Sequence, residues 1–181
     1  MRYLKLFTIS LLIAFISGSC NNSEQKADEN NIIEDNIADS ISYYERVLFA
    51  NANPQKINRD DALKLSDFYI KWAKSNHEDS LAPEYYLKSA DILMNMRKPV
   101  AAIKSLNMVI DHYPESSNAP YALFLKAFVF EDLLKDNVNA ERYYKKFIDQ
   151  YPDNEYVDDA TISLKNLGKT PEELIREFED K

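Results

Sequence analysis

One pattern occurs twice in this chain, and the repetition restricts the possible folds more than any other feature. Ala102, Asp111, Tyr113 and Pro114 return as Ala140, Asp149, Tyr151 and Pro152, each 38 residues later. Self-similarity at a period of this size is typical of stacked helical hairpins. Each hairpin has an apolar face that it cannot bury alone, so neighbouring hairpins must stack. The pattern predicts an all-α solenoid of antiparallel helix pairs.

The glycine content supports the helical prediction. The 181 residues contain only two glycines, Gly18 and Gly168. Folds with many tight β-turns need more positions with positive φ than one late glycine provides. The length is enough for one domain with a sizeable core.

Two complete repeats are predicted, over residues 78–116 and 117–154. Small residues lie where the two helices of a unit approach most closely, because larger side chains would push the helices apart. A proline ends each unit, because the residue before a proline disfavours the helical conformation. These positions are Ala90, Ala102 and Pro114 in the first repeat, and Ala127, Ala140 and Pro152 in the second. The alanine spacing is one residue longer in the second repeat, and we expect the extra residue in the turn around residues 135–137.

Incomplete units flank the two repeats. Residues 40–77 are predicted to form a degenerate first hairpin, since Leu65, Tyr69 and Trp72 precede Ala102, Leu106 and Val109 by 37 residues. Asn58 is the expected N-cap of its second helix. Terminal repeats often diverge because they have one neighbour only.

Residues 155–181 are predicted to form a capping helix over 155–167, ended by Gly168, and a C-terminal helix that begins with a capping box at Thr170. Leu174, Ile175 and Phe178 give this last helix an apolar stripe. The stripe packs against the capping helix or docks on a partner, and the sequence leaves both open.

The amino terminus has the pattern of a secretion signal over residues 1–19. Arg2 and Lys5 precede an apolar run of 11 residues, and small residues lead to Cys20, the only cysteine. The run is too short to span a bilayer as a mature helix. Removing the signal leaves 20 basic against 30 acidic residues, a net charge of −10. Nucleic acid is therefore not an expected partner.

Residues 20–39 are rich in Asn, Ser, Gln and acidic residues, and composition predicts a disordered acidic tether. The context of Cys20 resembles that of bacterial lipoproteins, in which this cysteine is lipidated after signal cleavage. Ser17 stands where that family usually has leucine, a looser motif typical of Bacteroidota lipoproteins. The resemblance implies an outer-membrane lipid anchor. The charged residues 25–29 are similar to the signals that send some Bacteroidota lipoproteins to the cell surface, but a solvated linker explains them as well, and we expect the protein to face the periplasm.

The alanine and proline positions of the two repeats resemble those of tetratricopeptide repeats. The period of 38 is similar to that of tetratricopeptide lipoproteins of Gram-negative envelopes, including the outer-membrane assembly lipoprotein and the division-coordinating partner of the Tol system. The resemblance implies a right-handed solenoid that binds a protein or peptide partner on its first helices. The implied groove residues are Glu84, Leu87, Lys88 and Asp91, then Tyr121, Phe124, Leu125 and Phe128.

Chaperone-binding members of the family hold a terminal carboxylate with lysines and asparagines. Leu87 and Phe124 stand in place of the lysines, and Asp91 and Phe128 in place of the asparagines, so this activity is not expected. The aromatic residues of the implied groove either grip an apolar peptide or belong to the core beneath the capping helix.

Catalysis is not expected. His77 and His112 are the only histidines, and neither has a partner at metal-ligand spacing. No Gly-rich phosphate loop or nucleophile elbow occurs. The sequence therefore predicts a binding scaffold without cofactor or metal, either an adaptor in an envelope complex or a permanent subunit of an oligomer.

Overall fold

The computed structural model describes residues 22–49 and 58–179, with the side chains of residues 22–35, 171, 177 and 178 left out. The predicted signal and Cys20 lie outside these residues. All regular elements in the described ranges are helical. They are α1 (Asn22–Phe49), α2 (Arg59–Ser75), α3 (Ala82–Asn95), α4 (Pro99–His112), α5 (Ala119–Phe128) with a π-helical segment (Val129–Leu133), α6 (Asn137–Gln150), α7 (Val157–Asn166) and α8 (Pro171–Glu179).

Consecutive helices pack as pairs along the chain, from α1 against α2 to α6 against α7. The apolar interior forms three adjoining clusters, one for each step of the stack. Tyr86 and Leu106 lie in the central cluster, and Tyr144 and Phe147 in the next, all at most 1% exposed. The predicted all-α tetratricopeptide-like solenoid is confirmed.

The two repeats begin and end in the same way. Pro83 and Pro120 are the second residues of α3 and α5, where proline costs no intrahelical hydrogen bond. Tyr113 and Tyr151 end α4 and α6 with nearly equal φ angles of −131° and −133°. The following Pro114 and Pro152, both exposed, disfavour the α conformation at these tyrosines, so both helices end there.

The extra residue of the second repeat does not lie in the turn, and that prediction was wrong. Residues 96–98 join α3 to α4 and residues 134–136 lead into α6, so the connections are equally long. The additional residue lies in the π-helical segment, where the amide of Leu134 donates to the carbonyl of Val129 at 3.1 Å. An i to i+5 bond takes up one residue more than an α-helical turn.

The two hairpin turns place residues other than glycine in the left-handed region. Arg97 has a φ of 55° and Lys135 a φ of 54°, and they are related by the same 38-residue shift. Side chains with a Cβ are strained in this conformation, which glycine adopts freely.

We therefore expect Arg97→Gly to be more stable than Arg97→Ala by about 1 kcal/mol. Lys104 is an exposed position inside α4. There, Lys104→Ala should be more stable than Lys104→Gly by about 1 kcal/mol, because glycine is unfavourable inside a helix. Urea unfolding of the four variants measures both differences. Alanine more stable than glycine at both positions would contradict the role of the left-handed turn.

The first helix begins earlier than predicted. Residues 20–39 were expected to be disordered, but α1 runs from Asn22 to Phe49. Ile37 and Ile41, one helical turn apart, are 8% and 3% exposed and pack in a cluster with Leu65 and Tyr69 of α2. Ile37 is thus buried among apolar residues, although the composition of residues 20–39 indicated a solvated segment.

The two expected caps are confirmed. The side chain of Asn58 accepts hydrogen bonds from the amides of Asp60 and Asp61 at the start of α2. At α8, the amide of Glu173 donates to Thr170 Oγ1 at 3.2 Å, and the amide of Thr170 donates to Glu173 Oε2 at 2.8 Å. Both contacts satisfy amides that a helix start leaves unpaired.

Gly168 has a φ of 78° and follows the end of α7, as the sequence predicted. The stripe of α8 is open at least in part, because Ile175 is 58% exposed. The side chain of Phe178, the last residue of the predicted stripe, lies outside the part of the chain that the structure describes.

Candidate functional site

The implied groove residues lie on matching faces of α3 and α5, the first helices of successive repeats. Side chains three, four and seven residues apart share one side of a helix. We call this surface the α3–α5 face; it consists of Glu84, Leu87, Lys88 and Asp91 on α3 and Tyr121, Phe124 and Phe128 on α5. Leu87, Tyr121 and Phe124 pack against the central apolar cluster, so both halves of the face border the same core.

Leu125, also implied as a groove residue, does not belong to this face. It is 7% exposed and lies in the central cluster. Its place in the core leaves it closed to a partner. The repeat pattern places Leu125 one turn from Tyr121, but on the side of the helix that turns inward.

The aromatic part of the face is divided between core and surface. Tyr156, just before α7, stacks on Tyr121 with ring centroids 4.9 Å apart and on Phe124 at 5.2 Å. Phe124 also contacts Phe147 at 5.7 Å. Phe128 remains 38% exposed. Tyr121 and Phe124 therefore mainly support the stack, and Phe128 is the aromatic side chain open to a partner.

Sequence reasoning missed Tyr156, although a signal was available. A 38-residue shift relates the start of α5 to that of α7, so that Tyr156 stands at the N-cap of α7 where α5 has Asn118. The turn hydrogen bonds repeat at the same shift, since the amide of Ala122 donates to the carbonyl of Asn118 and that of Ala160 to the carbonyl of Tyr156. An aromatic residue where the preceding unit has a polar one indicates that the third unit begins differently and covers its neighbour.

Lys88 is already occupied within the chain. Its Nζ lies 2.9 Å from Glu84 Oε1 and above the rings of Tyr69 and Tyr85, at 5.8 and 5.2 Å from their centroids. These contacts direct the ammonium toward α2. Lys88 and Glu84 therefore neutralise one another locally.

Asp91 has different surroundings. Its side chain is half-buried, and desolvation raises the pKa of its carboxyl above the ordinary value. The pKa of Tyr121 is raised by burial and by the nearby charge of Asp91, with a further contribution from Tyr156. The face thus combines a poorly solvated carboxyl with a neutral phenol.

The four repeat-packing alanines Ala90, Ala102, Ala127 and Ala140 are fully buried. Each pair lies within one apolar cluster, at the junction of the two helices of its unit. Because alanine has no side-chain atom beyond Cβ, the two helices can pack more closely at these positions.

A buried lysine is a second feature that sequence reasoning missed. Lys126 on α5 is 9% exposed; its Nζ donates to Asn107 Oδ1 at 2.6 Å and lies 4.1 Å from the centroid of the Tyr143 ring. Burial raises the pKa of Tyr143, but hydrogen bonding to Lys126, together with the charges of Lys126 and Arg142, outweighs it, and the pKa lies below its ordinary value. These contacts satisfy Lys126 without a carboxylate.

The charged side chains on the outer surface of α6 are exposed. Arg142, Lys145 and Lys146 all lie on the open side of α6, with Lys145 paired to Glu141. His77 and His112 are exposed at helix ends. In the residues that the structure describes, no group of three His, Cys, Asp or Glu side chains converges to hold a metal ion.

Two open pockets lie away from the α3–α5 face. One of about 490 Å³ lies between α6 and α7, beside Val138 and Leu167. The other, of about 480 Å³, lies between α1, α2 and α3, where Arg59 Nη2 donates to the carbonyl of Met96 at 3.0 Å. None of the helices in the described ranges has the length and apolar character needed to cross a membrane.

The family model for the tetratricopeptide repeat matches residues 84–116 and 121–154. These segments cover all but the first two residues of the α3–α4 and α5–α6 hairpins, so the chain has tetratricopeptide-repeat character in its two central hairpins. Repeats of this class are generally non-catalytic and mediate binding of protein partners. No curated protein matches the chain significantly. No solved structure does so either.

Proposed function

We propose that the chain is a non-catalytic, lipid-anchored scaffold that binds a protein partner in an envelope complex, of the outer-membrane assembly or division type. The observation that carries the proposal is the pair of stacked tetratricopeptide hairpins with an open α3–α5 face. Phe128 and Asp91 are its accessible apolar and acidic groups. An apolar anchor with a polar surround is the usual composition of a protein-binding surface.

The anchor is proposed from the amino-terminal sequence. Arg2 and Lys5, the apolar run and the small residues before Cys20 form the order of features seen in lipoprotein signals. Cys20 then carries the lipid, and the repeats face the periplasm at the outer membrane. Several acyl chains together give lasting membrane attachment, because each buried methylene contributes about 0.8 kcal/mol.

Replacing Cys20 with alanine is expected to release the protein from the membrane fraction and to abolish metabolic labelling with an alkyne-tagged fatty acid. The neighbouring Asn21→Ala variant should keep both properties, because it changes a polar side chain next to the site and leaves the thiol. Fractionation with in-gel detection gives both readouts. Membrane association and labelling that survive in Cys20→Ala would disprove the anchor.

A permanent subunit of an envelope oligomer is the second candidate. It is favoured by exposed apolar side chains toward the carboxyl end, where Val138 is 80%, Ile162 56% and Ile175 58% exposed. An oligomer would cover them. The adaptor would instead leave this end in solvent and bind through the α3–α5 face.

Crosslinking in cells with mass spectrometry separates the two candidates. For the adaptor we expect several partners in substoichiometric amounts, with unchanged recovery from an Ile175→Lys variant. A single partner at fixed stoichiometry, lost in that variant, would establish the permanent subunit. Absence of any protein crosslink would contradict both.

A further inference from the structure

The two halves of the α3–α5 face have different chemistry at equivalent positions. A shift of 37 residues relates Glu84, Leu87 and Asp91 to Tyr121, Phe124 and Phe128. The first half contains two carboxyl groups, and the second contains aromatic rings only. A partner that contacts both halves therefore meets an acidic region and an apolar region within one surface.

Only one of the two carboxyl groups lacks a counter-charge. Glu84 pairs with Lys88 at 2.9 Å. Among the side chains that the structure describes, no cation forms an ion pair with Asp91. The charge of Asp91 acts on Tyr121 of α5, where it contributes to the raised pKa of the phenol. Lys88, one turn before Asp91 on α3, is committed to Glu84 and to two aromatic rings.

A half-buried carboxyl without a cation is costly to the folded chain, because burial removes solvation that no ion pair replaces. A cation arriving from outside would supply the missing interaction. The whole protein favours such an encounter, since its formal net charge is −8 and its field attracts positive groups. A neighbouring apolar side chain on the same ligand would find the exposed ring of Phe128.

We propose that the α3–α5 face binds an extended segment of a partner protein in which a lysine or arginine side chain pairs with Asp91 and a nearby apolar side chain packs on Phe128. This inference rests on the proposed scaffold function and specifies its ligand. The negative charge of Asp91, which no ion pair neutralises in the described residues, requires a positive charge on the ligand. The position of Phe128, related to Asp91 by the repeat, adds the apolar requirement.

The test uses the full chain, purified from membranes in detergent, and a library of fluorescent nine-residue peptides in which one position is fixed and the others are randomised. We expect lysine or arginine to exceed alanine at one fixed position by roughly tenfold or more in affinity. Asp91→Asn should lose this preference. The control Asp111→Asn, an exposed acid on α4, should retain it.

Each outcome has a distinct meaning. A cationic preference that disappears in Asp91→Asn alone supports the proposal. Peptide binding without that preference, or with a preference unchanged in Asp91→Asn, overturns the role of Asp91 but leaves the scaffold function. Failure of every peptide class to bind the wild-type chain overturns both the cationic ligand and peptide recognition by this face.

Stability measurements ensure that lost binding does not reflect unfolding. Because the pKa of Asp91 is raised in the folded chain, its favourable contribution to stability is complete below its ordinary, unfolded-state pKa and is lost as pH rises through the folded-state pKa. Asp91→Asn should therefore gain stability relative to wild type as pH rises. Tyr121 is the described titratable group whose pKa responds to Asp91, and it remains in the variant. A variant less stable than wild type at pH 7 would contradict the unpaired, desolvated carboxyl.

Discussion

Replacing Phe147 with alanine is expected to lower the free energy of unfolding by about 3–5 kcal/mol. Phe147 is fully buried, and its ring lies 5.7 Å from that of Phe124 and 5.9 Å from that of Tyr151. The substitution removes apolar burial and leaves a cavity between the second repeat and its cap. Urea unfolding at neutral pH, followed by far-ultraviolet circular dichroism, measures the loss.

Phe128→Ala is the matched control, because it removes the same atoms from a ring that is 38% exposed. Its cost should stay below about 1.5 kcal/mol, since less apolar surface returns to water. The damage from Phe147→Ala should also be local, as stability in repeat proteins comes from nearest neighbours. Amide exchange should accelerate first in α6 and α7. Equal losses for the two variants would contradict the assignment of core and surface.

Ala140→Leu is expected to lower the free energy of unfolding by about 1–3 kcal/mol through overpacking. Ala140 is fully buried in the same cluster as Ala127 and Tyr144, so three added carbon atoms find no free volume. The helices of the second repeat would have to separate. Thermal and urea unfolding measure the change.

Val138→Leu provides the control on the same helix, because Val138 is 80% exposed and the added methylene remains in water. It should change the free energy of unfolding by no more than about 0.5 kcal/mol. If Ala140→Leu were as stable as wild type, the close approach of the two helices at the repeat alanine would be disproved.

The two predictions share a basis that the sequence already contains. A recurrence of alanine, tyrosine and proline at one spacing predicts which residues meet, because stacked hairpins reuse one geometry. The local rules for helix ends were also sufficient for Asn58 and Thr170, whose side chains accept hydrogen bonds from amides of their own first turns. Interactions of short range along the chain are accessible to this kind of reasoning.

Features that depend on tertiary context were not accessible in the same way. A one-residue difference in spacing does not distinguish a longer turn from a π-helical segment, since both take up one residue between Ala127 and Ala140. Ile37 of the first helix packs in a cluster with Leu65 and Tyr69 of α2, although the composition around it is polar. A local sequence pattern does not reveal either feature.

The candidate site shows the same division. The repeat pattern supplies the register of the α3–α5 face, but it does not reveal which aromatic residues are covered. Tyr156 covers Tyr121 and Phe124 from outside the two repeats. The unpaired state of Asp91 depends on Lys88 turning toward Glu84 and two tyrosine rings, a choice that no single helix determines.

Site-specific photocrosslinking in cells tests most directly whether the α3–α5 face is the binding surface. A photoreactive phenylalanine analogue would replace Phe128 in one variant and the exposed Lys104 of α4 in another. We predict that position 128 captures a protein partner on illumination and that position 104 does not. Equal capture at both positions, or capture at position 104 alone, would contradict a scaffold that binds through this face.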